Sequence, residues 1–259
     1  DFRNNRLQRA LTWNPGGRLA GARHVTIGGN YAYVIADSGL IVVDLHDPLA
    51  PVLAASLPLN DGRASALQFR YLFVTDADGL KVIDVTHPEK ARLLPQSSLH
   101  LASAQGLFLA RTYAYVANGQ QGLAIVDIER PERPRLIQDF NAGGGLVDAR
   151  DVVVASTNAS LFAYVADGVG GLKVLQLTAP DTQPNFYGFS PEPRPQLIAR
   201  YATRHPALSL SRPLERDRAV DETGGQVAVF GRRGARPFNG AEMRRMYLDE
   251  NGEPWHVQD

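Results

Sequence analysis

Tyr31 to Leu45 reads YAYVIADSGLIVVDL, and close variants of that stretch recur along the chain. They are YLFVTDADGLKVIDV from Tyr71 to Val85, YAYVANGQQGLAIVDI from Tyr113 to Ile128, and FAYVADGVGGLKVLQL from Phe162 to Leu177. Their starts lie about 40 to 50 residues apart, the period of a propeller blade. Each repeat begins with an aromatic-x-aromatic-Val run. A turn rich in Asp, Asn and Gly follows, whose residues tolerate the positive φ of a tight hairpin. Next comes an aliphatic run such as LIVV or LKVI, apolar on both faces, as in an inner strand packed between sheets.

The pattern extends outward on both sides of this hairpin. A first strand is predicted around His24–Ile27, Ala66–Phe69, Gly106–Leu109 and Asp151–Val154. A fourth is predicted at Val52–Leu57, Arg92–Leu94, Arg135–Asp139 and Gln196–Tyr201. Asp44, Asp84 and Asp127 each precede a proline by four residues, at Pro48, Pro88 and Pro131. A carboxylate there can cap the following amides, and the proline ends the strand. The last repeat has Gln176 in place of the Asp, followed by a proline-rich loop from Thr178 to Pro195. The expected fold is all-β: a β-propeller with at least four four-stranded blades, followed by an extended C-terminal arm. A propeller closes with ~4–8 blades. Either the ring has four or five blades, with Leu7–Trp13 the outer strand of a preceding one, or further blades lie upstream or in a partner chain. The expected domains are a basic arm at 1–20, blades at 21–201 and the arm at 202–259.

The segments VVD at 42–44, VID at 82–84 and IVD at 125–127, after their YVAD-like strands, resemble the LVIVD-repeat family of exported bacterial and archaeal propellers. The resemblance covers about residues 20–200. It implies a propeller used for binding outside the cytoplasm, at the cell surface or in the periplasm. The tail SRPLERDRAVDETGGQVAVFGRRGARPF at 211–238 resembles the ends of long exported members that accompany multihaem cytochromes. That resemblance implies such a cytochrome as a partner.

Composition narrows the classes. The 259 residues carry 27 basic and 27 acidic side chains, so the basic excess of a nucleic-acid binder is missing. No apolar run is long enough to span a membrane. The absence of cysteine removes disulfides, thiolate metal sites and Cys-x-x-Cys-His haem attachment. The chain opens at Asp1, which fits a removed signal peptide or the later part of a longer polypeptide.

First strands line a propeller's channel. The repeat places Arg23, His24, Ser65, Gln105, Arg150 and Asp151 at one mouth of it, as candidate contacts for a ligand or partner; solvated lining is the plainer reading. Asp37, Asp76, Asp78, Asn118 and Asp167 in the hairpin turns could group around Ca²⁺, but turn formation explains them more simply. The six histidines show no zinc spacing, and there is no nucleophile or phosphate-loop motif. The expectation is therefore a non-enzymatic module without cofactor or metal that binds another protein chain. Its rival is a propeller hydrolase or lyase working from the channel mouth. Trp13, Phe230, Phe238, Tyr247 and Trp255 sit among the arginines of the two arms, a composition typical of protein interfaces.

Overall fold

The computed structural model describes residues 7–157, 160–179 and 190–211, with short pieces at 228–229, 232–233, 236–237, 241, 251 and 257–258. Strand β1 is Leu7–Gln8. The repeats then lay down four antiparallel blades. Blade one is β2 (His24–Gly28), β3 (Tyr31–Ala36), β4 (Gly39–Asp44) and β5 (Val52–Leu57). Blade two is β6 (Ala64–Gln68), β7 (Tyr71–Asp76), β8 (Gly79–Asp84), β9 (Arg92–Leu93) and β10 (Leu99–His100). Blade three is β11 (Leu107–Ala110), β12 (Tyr113–Ala117), β13 (Leu123–Asp127) and β14 (Arg135–Phe140). Blade four is β15 (Asp151–Thr157), β16 (Ser160–Ala166), β17 (Leu172–Thr178) and β18 (Gln196–Tyr201). The fold is a set of propeller blades, as the repeat predicts.

Several predicted strand ends shift by one to three residues, and blade two differs most. The first strand of blade two starts at Ala64 and stops at Gln68. Phe69 leaves it through a positive φ of 53° and is 92% exposed at the turn. The outer strand of blade two is split between β9 and β10, both pairing with β8. Between them the buried Ser97 stands in for the ladder: its Oγ donates to the Val82 carbonyl at 3.0 Å and accepts from the Val82 amide at 3.2 Å.

One glycine position recurs because nothing else fits. Gly39, Gly79, Gly122 and Gly171 open or precede the third strands with φ of 109°, 137°, 83° and 76°. A Cβ there would lie 2.2–2.3 Å from the carbonyl oxygen of Leu57, Leu99, Phe140 or Tyr201 on the outer strand. Positive φ and the close backbone approach each demand glycine.

The core consists of sandwiches between consecutive blades. Tyr33, Ile35, Leu40 and Val42 of blade one pack on Leu72, Val74 and Ile83 of blade two. Phe73, Leu80 and Val82 then pack on Ala114, Val116, Ala124 and Val126. Tyr115, Leu123 and Ile125 pack on Ala163, Val165, Leu175 and Leu177. The aliphatic third strands of blades two and three are buried because each of those blades lies between two others, and that of blade one because Trp13 and Leu19 pack on its free face. The inner strands β2, β6, β11 and β15 lie side by side in that order, without a matching extended contact between β15 and β2. The blades form an open arc.

Trp13–Ser211 is one compact unit. Its boundary departs from the expected arm at 1–20: Trp13 and Leu19 pack against Ala32, Ala36, Ile41 and Val43 of blade one. The other unit gathers residues 1–12 and 212–259. In it β1 pairs in parallel with β22 (Val257–Gln258), joining the two arms. β19 (Ala228–Val229), β20 (Arg232–Arg233) and β21 (Arg236–Pro237) form a small antiparallel sheet there. Among the described residues no helix is long and apolar enough to cross a membrane.

Candidate functional site

The channel-mouth side chains sit at or near the starts of the inner strands; those of Arg23 and His24 reach blade two, and those of Gln105, Arg150 and Asp151 bond within or beside their own blades. Arg23 donates from Nη2 to Asp37 at 2.5 Å and from Nη1 to Asp61 of blade two at 2.7 Å. That hydrogen bond holds the Asp61 carboxyl below its ordinary range, and the two carboxylates raise the guanidinium in turn. Arg63 repeats the move one blade on, donating to the Ala104 carbonyl at 2.7 Å. Thr75 donates to the Gln105 carbonyl at 2.5 Å, and the Gln105 amide reaches the Ser103 hydroxyl at 3.2 Å. The Gly106 amide donates to the Arg150 carbonyl at 3.0 Å, while the Arg150 side chain pairs with Asp148 at 2.8 Å. Asp151 accepts from the amides of Val152 and Leu210, each at 2.8 Å. Gly106 makes room for it, since a Cβ there would lie 2.1 Å from the Asp151 carboxylate.

His24 and Ser65 are the two predicted residues brought into direct contact, with His24 Nδ1 3.2 Å from the Ser65 hydroxyl. A serine beside an imidazole invites comparison with a nucleophile and its base. Here the serine is 1% exposed, its hydroxyl is also 2.8 Å from that of Thr26, and its own amide donates to the same imidazole nitrogen at 3.2 Å. No substrate carbonyl can approach an oxygen so enclosed. The pair links blade one to blade two.

The turn residues also have defined duties. Asp76 accepts from the amides of Asn60, Asp78 and Gly79, and Asp167 from those of Val147 and Asp148. Asn118 does the same for the Ser103 amide at 2.8 Å. Each therefore fastens the loop leading into its blade. Asp37 holds Arg23, and Asp78 pairs with Lys81. Among the described residues no group of three or more His, Asp or Glu is placed to hold a metal ion.

At the opposite end the repeat Asp caps its turn. Asp44 accepts from the His46 amide at 2.8 Å, Asp84 from the Thr86 hydroxyl and amide at 2.6 and 3.0 Å, and Asp127 from the Glu129 amide at 2.9 Å. The same carboxylates of Asp84 and Asp127 pair with Arg92 and Arg135 on the outer strands, each at 3.1 Å.

Of the predicted interface aromatics, Trp13 packs on blade one. Phe230, Phe238, Tyr247 and Trp255 lie outside the described residues. Sequence reasoning missed Asp61, Arg63, Thr75 and Asp148 as members of the mouth. Asp61-Gly62 was a visible turn signal, with Asp61 at φ 52°, but nothing in the sequence says which arginine an acid faces.

Two stretches of the chain, residues 20–57 and 103–142, match the LVIVD repeat, and they coincide with blades one and three. Among curated proteins none matches. Solved structures show likeness at low identity. A functionally unknown protein from Desulfotomaculum acetoxidans is 10% identical with a TM-score of 0.49, over 84% of this chain and 74% of that one. Apo AztD from Citrobacter koseri is 17% identical with a TM-score of 0.40, over 73% and 49%. The β-propeller domain of Cps50 (Swd1) from Myceliophteria thermophila is 11% identical with a TM-score of 0.45, over 70% and 60%. This chain thus spans about half the length of AztD.

Proposed function

Taking a propeller that carries LVIVD repeats as the premise, we propose that it is a non-enzymatic binding or scaffolding module that works outside the cytoplasm and holds another protein chain. One observation supports the reading most. The polar groups that an enzyme of this shape would use at its channel mouth are engaged in structural contacts instead. Arg23 is held by two carboxylates, Ser65 is enclosed, and Asp151 is occupied by two backbone amides. Recruiting any of them for chemistry would break a contact that holds the local structure. The resemblance of the 211–238 tail makes a multihaem cytochrome the first partner to test.

The test is to tag the full chain in its source cells, fractionate them, purify the protein under native conditions and record the visible spectrum of what accompanies it. A stoichiometric haem protein recovered from the periplasmic or surface fraction supports both partner and location. Recovery from the cytoplasmic fraction alone overturns the export reading. A turnover activity that Asp151→Ala abolishes while the protein stays folded overturns the non-enzymatic one.

A further inference from the structure

The three sandwiches between blades are one interface used three times, and the chain carries its two halves once more at the ends of the arc. On one half the second aromatic of the repeat projects: Tyr33, Phe73 and Tyr115, at 2%, 0% and 0% exposure. On the other half an inner-strand aliphatic meets it: Leu67, Leu109 and Val154, each in the same apolar cluster as its aromatic. Gly28 shows how close the first pair is, since a Cβ there would lie 2.3 Å from Leu67 and 3.3 Å from the Tyr33 ring.

The fourth aromatic is Tyr164 and the fourth aliphatic is Ile27. Register fixes the equivalence, for Ile27, Leu67, Leu109 and Val154 all pair with the residue just before the aromatic position. Tyr164 on blade four is 37% exposed and Ile27 on blade one 60%. Val25, beside Ile27, is 56% exposed, whereas its counterparts Ser65, Leu107 and Val152 are at 1%, 6% and 1%. Leu172 and Val174 flank Tyr164 and are only half-buried, whereas Leu40, Val42, Leu80, Val82, Leu123 and Ile125 at the same places are fully buried. Trp13 and Leu19 already cover the outer part of the blade-one face, so the free strip is the inner one.

We infer that the occupant of each free end is a second copy of this chain: Tyr164 of one copy packs on Ile27 and Val25 of the other, and the reverse. A knob and its matching seat on one chain form a heterologous contact, which closes into a ring when the rotation permits. Two arcs of four blades make eight, within the ~4–8 that propellers use. The contact continues an interface that the chain already forms three times within itself. It does not depend on the proposal that the propeller holds a different protein, and it predicts an assembly whether or not that partner exists.

The experiment uses the full chain. Its mass in solution is read by light scattering across a dilution series, for the wild type and for Tyr164→Glu, Ile27→Glu and the control Val169→Glu, whose residue is exposed elsewhere on blade four. The expected result is a two-chain mass for wild type and control, halved by either of the other changes. Because the chain has no cysteine, the double variant Ile27→Cys, Tyr164→Cys is then oxidised. It should give a covalent two-chain species that neither single variant gives. This readout also decides the matter where a glutamate variant fails to fold. A single-chain mass at every concentration overturns the inference, as does an open-ended filament. Crosslinking by Tyr164→Cys alone overturns it too, because the contact would then be isologous.

Discussion

Blades two and four carry the same buried acid–lysine pair and use it differently. In blade two the Asp76 carboxylate, fully buried, meets the Lys81 ammonium at 2.5 Å, and Lys81 also reaches Asp78 at 2.7 Å. Burial acts against the charge on Lys81, but hydrogen bonds to the two carboxylates outweigh it and raise the ammonium above its ordinary value. In blade four Asp167 is as deeply buried, yet Lys173 stands 3.7 Å away and donates to the Gly170 carbonyl at 2.7 Å. One Asp167 oxygen has no hydrogen bond at all. Blade three does without a charge, since Asn118 accepts one amide and donates to Asp139 at 3.0 Å. What blades two, three and four share is the acceptor that fastens the lead-in loop, where blade one has Ala36. The charge is an addition that only blade two compensates fully.

That contrast is open to attack. The largest effect expected is from Lys81→Met, which strands a buried carboxylate and should cost about 3–5 kcal/mol. Lys173→Met should cost less than half as much, because the carboxylate it leaves was already poorly met. Chemical unfolding of the two variants decides this, and equal losses would dissolve the distinction between the blades.

Next in size is Asp76→Asn, expected to cost about 1.5–3 kcal/mol through the lost charge-assisted bonds. Asp167→Asn should stay within about 1 kcal/mol of wild type, since an amide oxygen can accept from Val147 and Asp148 as Asn118 accepts from Ser103. A large loss at Asp167 would show that its charge, not its acceptor oxygen, holds the loop.

A smaller effect is expected at the far end of the blades. Asp84→Ala removes the turn cap on Thr86 and should lower stability by about 1 kcal/mol without changing any binding. An unaltered melting temperature would remove the cap from the account.

The smallest effect is in pH. Hydrogen bonds from Thr86 hold the Asp84 carboxyl below its ordinary range, and Arg23 does so for Asp61. A depressed carboxyl contributes fully above its unfolded value, roughly pH 4. Its contribution is lost as pH falls through the lower folded value. Stability should therefore be insensitive to these groups from pH 7 to about 5 and fall below about 4. Arg23→Gln should weaken the part due to Asp61, and an acid limb unchanged by it would count against that pairing.

Much of the fold was legible beforehand because its signals are local. Alternation after Tyr31, Tyr71 and Tyr113, the turn glycines and the both-faces-apolar third strands each depend on neighbours within a few residues. The split outer strand of blade two was not legible. Leu94 and Pro95 look like a strand's end, but Ser97 substituting for the ladder at Val82 is a contact across 15 positions. The mouth was half legible: the sequence aligned Arg23, Ser65, Gln105 and Arg150, but register makes Arg63 the counterpart of Arg23 in blade two, and nothing local showed the acids that hold Arg23.

The sequence by itself determined that the chain is built of blades and which aspartates cap their turns, because a repeat carries the same local code every time. Tertiary structure alone decided that Tyr164 and Ile27 are exposed while their counterparts are buried. A residue's local code is identical in the middle of a stack and at its end. Burial depends on whether another blade lies against that face, and no single repeat contains that information.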